Sequence, residues 1–352
     1  MSTDLTLDLQ ERVLDAAATG TAVSICGNGS KAFLGRNACG TPLNVAAHRG
    51  VVSYEPRELV ITARAGTPLS EIEHLLAAQG QMLPFEPPSF GAQATLGGTL
   101  ACGLSGPRRP YAGSARDHVL GVRLINGRAE ALRFGGEVMK NVAGYDLSRL
   151  QVGAFGTLGI ILEASLKVIP RPADEITLVQ DRDVADSLSY LTELARRPIP
   201  LSGACHDGDQ LYLRLSGAAT AVAQSRNQLG GEPLADAEAF WRDKIKDQGH
   251  AFFEGSAPLW RVSLPPATPE LSLPGKYLLD WGGALRWLRT EAPAELIQQA
   301  AAKAGGHASL FRGDQGEPFQ PLPPALLALH QRIKHAFDPQ QLFNPGQMYA
   351  GL

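Results

Sequence analysis

Ala94-Thr-Leu-Gly-Gly-Thr-Leu-Ala101, Gly106-Pro-Arg-Arg-Pro-Tyr-Ala-Gly113 and Ser114-Ala-Arg-Asp117 carry the reading of this chain. They lie in or beside residues 84–113, where hydrophobic periodicity stops and Gly, Pro and Ala dominate. An unpatterned stretch of that length inside a compact domain is usually functional. Gly97 and Gly98 stand together, flanked by Thr95 and Thr99. Glycines let a ligand approach the backbone, and the hydroxyls with Arg108, Arg109 and Arg116 suit a pyrophosphate and ribose. For any single arginine, a solvated loop explains the residue equally well.

Two more glycine loops flank this one. Cys26-Gly-Asn-Gly-Ser-Lys31 follows the β-type run 21–25, and successive N–H groups there can form an anion-binding nest. It is not a P-loop, and Ala32 replaces the last glycine of a dinucleotide fingerprint. Alone, it reads at least as well as a plain turn. Gly153-Ala-Phe-Gly-Thr-Leu-Gly159 opens into an apolar strand over 160–169, closed by Pro170-Arg-Pro172. Three loops offering backbone within one domain point to a large, extended cofactor.

Between the loops, the spacing predicts a helix over 8–19 with Leu9, Val13 and Ala16 or Ala17 on one face. A second helix begins at Thr67-Pro68, with a hydroxyl cap and Pro at the first position, and stops at Gly80. Its stripe is Leu69, Ile72, Leu75 and Leu76. Strands are expected at 51–54, 58–64, 119–125 and 128–134, the last two joined by Asn126-Gly127, a strong hairpin signal. Beyond 172, strands at 210–215, 259–264, 277–281 and 307–311 alternate with helical patterns, which suggests an antiparallel sheet with helices on one face. A last helix carries Leu326, His330, Ile333 and Phe337 along one side and stops at Asp338-Pro339.

The 352 residues hold 32 Lys and Arg against 35 Asp and Glu, so there is no global footprint for nucleic acid or an anionic membrane. That length favours two or three domains. Cys26, Cys39, Cys102 and Cys205 form no C-x-x-C pair, so neither a zinc ribbon nor an iron–sulfur motif is present. They read as isolated thiols in a reducing compartment. The first residues are acidic and lack a signal peptide's apolar core, and no apolar run reaches the roughly 18 residues of a membrane span. A soluble, cytoplasmic protein is expected.

In this order, Ala94-Thr-Leu-Gly-Gly98, residues 111–117, Val119-Leu-Gly121, Lys140-Asn-Val-Ala-Gly-Tyr-Asp-Leu147 and Gly156-Thr-Leu-Gly-Ile160 resemble the FAD domain of the vanillyl-alcohol oxidase, or PCMH, type. Within it, they are most similar to the E-subunit family of the three-subunit glycolate oxidases. Gly305-Gly-His-Ala-Ser-Leu-Phe-Arg312 and Phe337-Asp-Pro-Gln-Gln-Leu-Phe-Asn-Pro-Gly346 fit that family too. The resemblance implies an α+β fold. A PCMH-type FAD-binding domain of two α/β lobes would span 1–172. A C-terminal domain with an antiparallel sheet and helices on one face would span 173–335, and a tail over 336–352 would return to the FAD domain.

The resemblance also implies site residues. Gly27, Asn28, Gly29, Ser30 and Lys31 would carry the pyrophosphate of FAD. Thr95, Leu96, Gly97, Gly98 and Thr99, with Ser114, Arg116 and Asp117, would line the flavin and ribitol. The backbone of Gly159 and Ile160 would meet the adenine side. Asn28, Gly29 and Ser30 stand where relatives with covalent flavin carry His, which implies non-covalent FAD.

Departures from the family matter as well. The H-G-D-G-N and G-E-H-G-type segments of relatives that oxidise D-2-hydroxy acids are missing, segments that suit metal binding and proton abstraction. His206-Asp-Gly-Asp209 is a partial echo, and Phe155 stands where relatives often have Glu. His307 reads as a hydrogen-bonded structural histidine, and no metal ligands or catalytic residues are assigned. Lys140, beside Asn141, is the remaining candidate base. The implied function is the FAD-binding subunit of a complex that oxidises glycolate, a small hydroxy acid, to glyoxylate. A sister flavin subunit and an iron–sulfur subunit would be its partners, and through them it could sit at the cytoplasmic face of the inner membrane. The alternatives are a self-sufficient FAD-dependent 2-hydroxy-acid dehydrogenase and a non-catalytic scaffold with a degenerate FAD site.

Overall fold

The computed structural model describes residues 3–37, 39–136, 145–314 and 316–352. They divide into two units: Met1–Leu104 with Ser114–Pro170 and Pro321–Leu352, and Ser105–Gly113 with Arg171–Gln320. Residues 105–113 thus join the second unit, and the chain re-enters the first at Pro321, ahead of the last helix.

In the first unit, Leu9, Val13 and Ala16 recur at helical spacing and are buried, so Thr6–Thr19 forms the amphipathic helix α1. Each fully buried Leu or Val side chain contributes about 1.5–3 kcal/mol. Strands β1 (Val23–Cys26) and β2 (Thr41–Asn44) pair in parallel beneath it. Together with Leu342 and Phe343 they form one core. A five-stranded antiparallel sheet, ordered β3-β4-β8-β6-β7, makes the second lobe. Its strands are β3 (Val51–Glu55), β4 (Val60–Arg64), β6 (Val119–Ile125), β7 (Ala131–Gly135) and β8 (Ile160–Lys167). A short pair, β5 (Gln81–Met82) with β9 (Ile169–Pro170), lies beside it in sequence. Residues Ile160 to Leu166 of β8 are all buried because the strand separates two cores. Helices α2 (Leu69–Ala77) and α3 (Leu96–Cys102) fill the second core, while α5 (Ala115–His118) and α6 (Leu147–Leu150) are single turns.

Two local expectations are corrected. The Thr67 hydroxyl accepts the Gly50 N–H at 2.9 Å instead of capping α2, whose N-cap is Pro68. The hairpin after β6 exists, but its turn is wider than Asn126-Gly127. Asn126 Oδ1 accepts the N–H groups of Arg128 and Glu130 at 2.9 and 3.0 Å, and β7 starts only at Ala131. Gly127 serves another contact: its N–H donates to the Phe337 carbonyl, and a Cβ there would lie 2.5 Å from Asp338 Oδ1.

That contact belongs to the returning tail. Helix α11 (Pro324–Phe337) is half-exposed, and the residue it buries is Lys334. Lys334 Nζ donates to Asp338 at 2.6 Å, to the Thr157 carbonyl at 2.7 Å and to the Phe343 carbonyl at 2.8 Å. Asp338 in turn accepts the N–H groups of Leu342 and Phe343 at 3.0 and 2.8 Å. Burial pulls Lys334 below the ordinary lysine range, and the Asp338 carboxylate opposes that pull.

The second unit is built on an eight-stranded antiparallel sheet, ordered β13-β10-β12-β11-β15-β16-β14-β17. Its strands are β10 (Asp174–Gln180), β11 (Leu201–His206), β12 (Leu211–Gly217), β13 (Glu232–Pro233), β14 (Leu259–Ser263), β15 (Lys276–Asp280), β16 (Leu285–Arg289) and β17 (His307–Arg312). Leu213, Leu215, Leu288 and Trp260 share one face, and α7 (Val184–Leu194), α8 (Ala219–Leu229) and α10 (Ala294–Lys303) pack on it. The opposite face is also covered, by α9 (Ala237–Ala239) and the wide helical turns Phe240–Lys246. There Trp241 Nε1–H donates to Thr177 Oγ1. Residues 105–113, with α4 (Arg109–Ala112), are tied to this unit by Trp281 Nε1–H on the Gly106 carbonyl and by Arg108 on Glu175, both within 3 Å.

Candidate cofactor site

β1 ends at Cys26, and the chain turns through Gly27–Lys31 with Gly29 at φ +72°. Asn28 Nδ2 donates to the Gln93 carbonyl at 3.0 Å, which joins the first glycine loop to the second. The second loop is not structureless, as its sequence suggests. Leu96 and Leu100 are buried in the core and hold α3 in place despite poor helix formers. Thr95 caps that helix by accepting the Gly98 N–H. The other face of α3 presents Gly98, Ala101 and Cys102 to a cavity of about 300 Å³. The third loop closes the wall, because the N–H groups of Gly153 and Phe155 donate to the Leu100 and Ala101 carbonyls.

The tail completes the cavity. Asn344 accepts the Ile25 N–H through Oδ1 and donates to the Phe155 carbonyl through Nδ2, both at 2.6 Å. Gln347 donates to the Leu34 carbonyl at 3.2 Å. The lining holds Lys31 and Arg36 and, among the described residues, no Asp or Glu. Ser24, Ser30 and Thr95 add hydroxyls, and Gly27, Gly29 and Gly98 expose backbone. Such a wall favours a polyanion with hydroxyl-bearing neighbours.

Two thiols also face the cavity, Cys26 and Cys102. Burial raises both, pushing Cys102 up to about 11 against the pull of Lys31. At about pH 8 only a thousandth or so of the Cys102 thiol is ionised, so alkylation by iodoacetamide is slow. The exposed Cys39 is expected to label first and Cys102 to resist until the chain unfolds. Peptide mass mapping over a time course checks this, and equal rates at the two positions would contradict it.

The structure therefore gathers Gly27, Asn28, Gly29, Ser30, Lys31, Thr95 and Gly98 into one wall. It does not bring the other expected residues there. Leu96 is a core residue, Gly97 packs on Ala65, and Thr99 is fully buried. Ser114 and Asp117 serve each other: the Ser114 N–H and hydroxyl both donate to the Asp117 carboxylate at 2.8 Å. Burial would raise Asp117, but those two hydrogen bonds outweigh it and hold the carboxyl below its usual range. Arg116 is exposed, Gly159 lies against the Ile125 carbonyl, and Ile160 is buried in the core. Arg108 and Arg109 belong to the second unit. Lys140 and Asn141 lie outside the described residues. The His206 ring bonds the Arg182 carbonyl and the Gly208 N–H, which makes that segment a turn between β11 and β12. His307 opens β17 and is exposed. Sequence reasoning missed Asn344, Gln347 and Arg36; the Asn-Pro-Gly run at 344–346 was the available signal.

Comparison with known proteins places this geometry. Residues 5–135 match the model of an FAD binding domain family. Over 99% of its length, and 99% of the relative's, the chain is 49% identical to glycolate oxidase subunit GlcE of Escherichia coli K12. The chain belongs to the GlcE family. A shorter stretch, 37% of the chain and 27% of the relative, is 33% identical to glycolate oxidase subunit GlcD of Bacillus subtilis 168. The GlcE-family chain also shares its fold with a solved alkyldihydroxyacetonephosphate synthase, with a TM-score of 0.68 and 17% identity over 96% of this chain and 74% of that one. The α+β, PCMH-type expectation holds. No helix among the described residues is long and apolar enough to cross a membrane.

Proposed function

We propose that this chain is the FAD-holding subunit of a cytoplasmic, multi-subunit glycolate oxidase, with a sister flavin subunit and an iron–sulfur subunit as partners. The observation that carries the reading is the cavity wall: Lys31 and Arg36, three hydroxyls and three glycines, with no carboxylate among the described residues. Gly27–Lys31 and Arg36 hold the diphosphate through backbone N–H groups and charge. Thr95 and Gly98 border the next part of the cofactor, and Asn344 fixes the end of β1, just ahead of the first loop, against the third loop. FAD is held without a covalent bond, since both cavity thiols stay protonated and no histidine occupies the first loop. When bound, FAD supplies a two-electron acceptor for the oxidation of glycolate to glyoxylate. The chain's four cysteines include no cluster motif, which fits electrons leaving to a separate iron–sulfur chain.

The absorbance spectrum of the purified chain, before and after anaerobic glycolate, tests this reading. A flavin spectrum at about one FAD per chain is expected, with the flavin released on denaturation. Bleaching should be slow for the chain alone and fast once the partner subunits are added. Fast stoichiometric bleaching without partners would favour the self-sufficient dehydrogenase, and colourless protein that takes up no FAD would favour the scaffold.

A further inference from the structure

The cavity beside the first glycine loop has two unlike ends. Its exposed lining residues, Asn28, Gly29, Ala32 and Asn37, all fall within 28–37, so the mouth lies there. At the other end Asn344 is buried and ties Ile25 to Phe155. Ile25, Ala101 and Phe155 make that end apolar, in a wall otherwise rich in cations, hydroxyls and glycines. Phe155 is the one aromatic residue of the lining among the described residues. Gly159 and Ile160, expected at the adenine side, are not part of this wall, so another residue must meet that part of the cofactor.

The backbone of Phe155 is unusual. Its φ is +52°, in the left-handed region that glycine adopts freely and a bulky residue rarely does. Two hydrogen bonds fix it there. Its N–H donates to the Ala101 carbonyl at 2.8 Å, and its carbonyl accepts Asn344 Nδ2 at 2.6 Å. One partner belongs to α3 and the other to the tail, so two separate elements set the conformation whatever side chain stands at 155. Strain held from both sides in this way recurs at ligand sites. The half-buried ring lines the cavity instead of joining either core of the first unit.

We propose that Phe155 grips the adenine of FAD and is the residue through which this chain selects a dinucleotide over the mononucleotide FMN. An aromatic ring stabilises a purine by stacking and by burying its apolar face. The inference rests on the proposed function for the direction of the cofactor. The ring that reacts with substrate leads out through the mouth, and the adenine, which takes no part in the oxidation, takes the inner end.

Calorimetric titration of the full chain, stripped of bound flavin, with FAD, ADP, FMN and inorganic pyrophosphate tests the assignment. Wild type is expected to bind FAD and ADP more tightly than FMN. Phe155→Leu should weaken FAD and ADP by about tenfold or more and leave FMN and pyrophosphate within about twofold. Phe155→Tyr keeps the ring and should keep the wild-type affinities. Phe155→Gly suits the positive φ, so it should unfold at the wild-type temperature yet bind ADP as weakly as Phe155→Leu. A purely structural ring predicts the reverse: a lower melting temperature, with pyrophosphate lost alongside ADP. If Phe155→Leu unfolds, the Phe155→Tyr and Phe155→Gly titrations carry the test. Unchanged ADP affinity in the folded variants that lack the ring, or FMN weakened as much as ADP, would overturn the assignment while leaving FAD uptake and the proposed function intact. A wild-type chain that binds ADP through Phe155 but takes up no FAD would support the site and overturn the proposed function.

Discussion

Asp338→Ala is expected to lower the stability of the first unit by about 3–5 kcal/mol, a large share of the roughly 5–15 kcal/mol that holds a typical protein folded. The size follows from what the substitution leaves behind. Lys334 Nζ would remain buried with two carbonyl partners and no counter-charge, and the N–H groups of Leu342 and Phe343 would lose their acceptor. Thermal unfolding followed by circular dichroism reads the loss. Lys334→Met with Asp338→Ala should recover part of it, because no unpaired charge then remains. The deficit of Asp338→Ala should also shrink as pH rises. Burial already depresses Lys334 in the folded state, so the unfolded chain binds more protons between the two pKa values and stability climbs with pH across that window. A variant as stable as wild type, or a deficit that grows with pH, would count against the buried pair.

Gly98→Val and Gly97→Val should fail in different ways, although the residues are neighbours. A Cβ on Gly98 would meet Thr95 Oγ1 at 3.1 Å and otherwise point toward the cavity, so the valine is accommodated by the fold and occupies ligand space. Folded, colourless protein is expected, with FAD affinity down by about a hundredfold or more, roughly 2.7 kcal/mol. A Cβ on Gly97 would lie 2.6 Å from Ala65 Cβ and 3.1 Å from its carbonyl, inside the core. Overpacking of that kind costs about 1–3 kcal/mol or more, so Gly97→Val should lower the melting temperature whether or not FAD is present. Flavin content and thermal unfolding, measured on both variants, separate the outcomes. Stoichiometric FAD on Gly98→Val would remove that residue from the site.

Much of this was legible in the sequence because it depends on short-range pattern. The stripes of α1 and α2 follow helical spacing, and β8 reads as a continuous apolar run because cores lie on both its sides. The first glycine loop and Thr95 with Gly98 were legible because the residue types themselves state a need for backbone exposure. What stayed hidden depends on distant partners. Gly127 looks like a hairpin glycine, but its space is taken by Asp338. Lys334 looks like a solvated helix residue, yet it is the buried one. Arg108 and Arg109 follow the second glycine loop and read as cofactor ligands, whereas Glu175 and Trp281 hold them in the second unit. Asp117 next to Arg116 suggests a recognition pair, but its carboxylate is spent on Ser114.

The bridge from Ile25 to Asn344 to Phe155 also has a consequence for biosynthesis. Asn344 lies 319 residues after Ile25, so the first glycine loop leaves the ribosome long before the amide that pins it exists. At about 5–20 residues per second, the wait is on the order of tens of seconds. During that interval the nascent chain can form α1 and the sheet lobe but not a finished cavity wall. Flavin capture is therefore a late event, and a chain arrested before the tail is made would present an open cleft. Retained yellow colour would then report completed synthesis as well as correct folding.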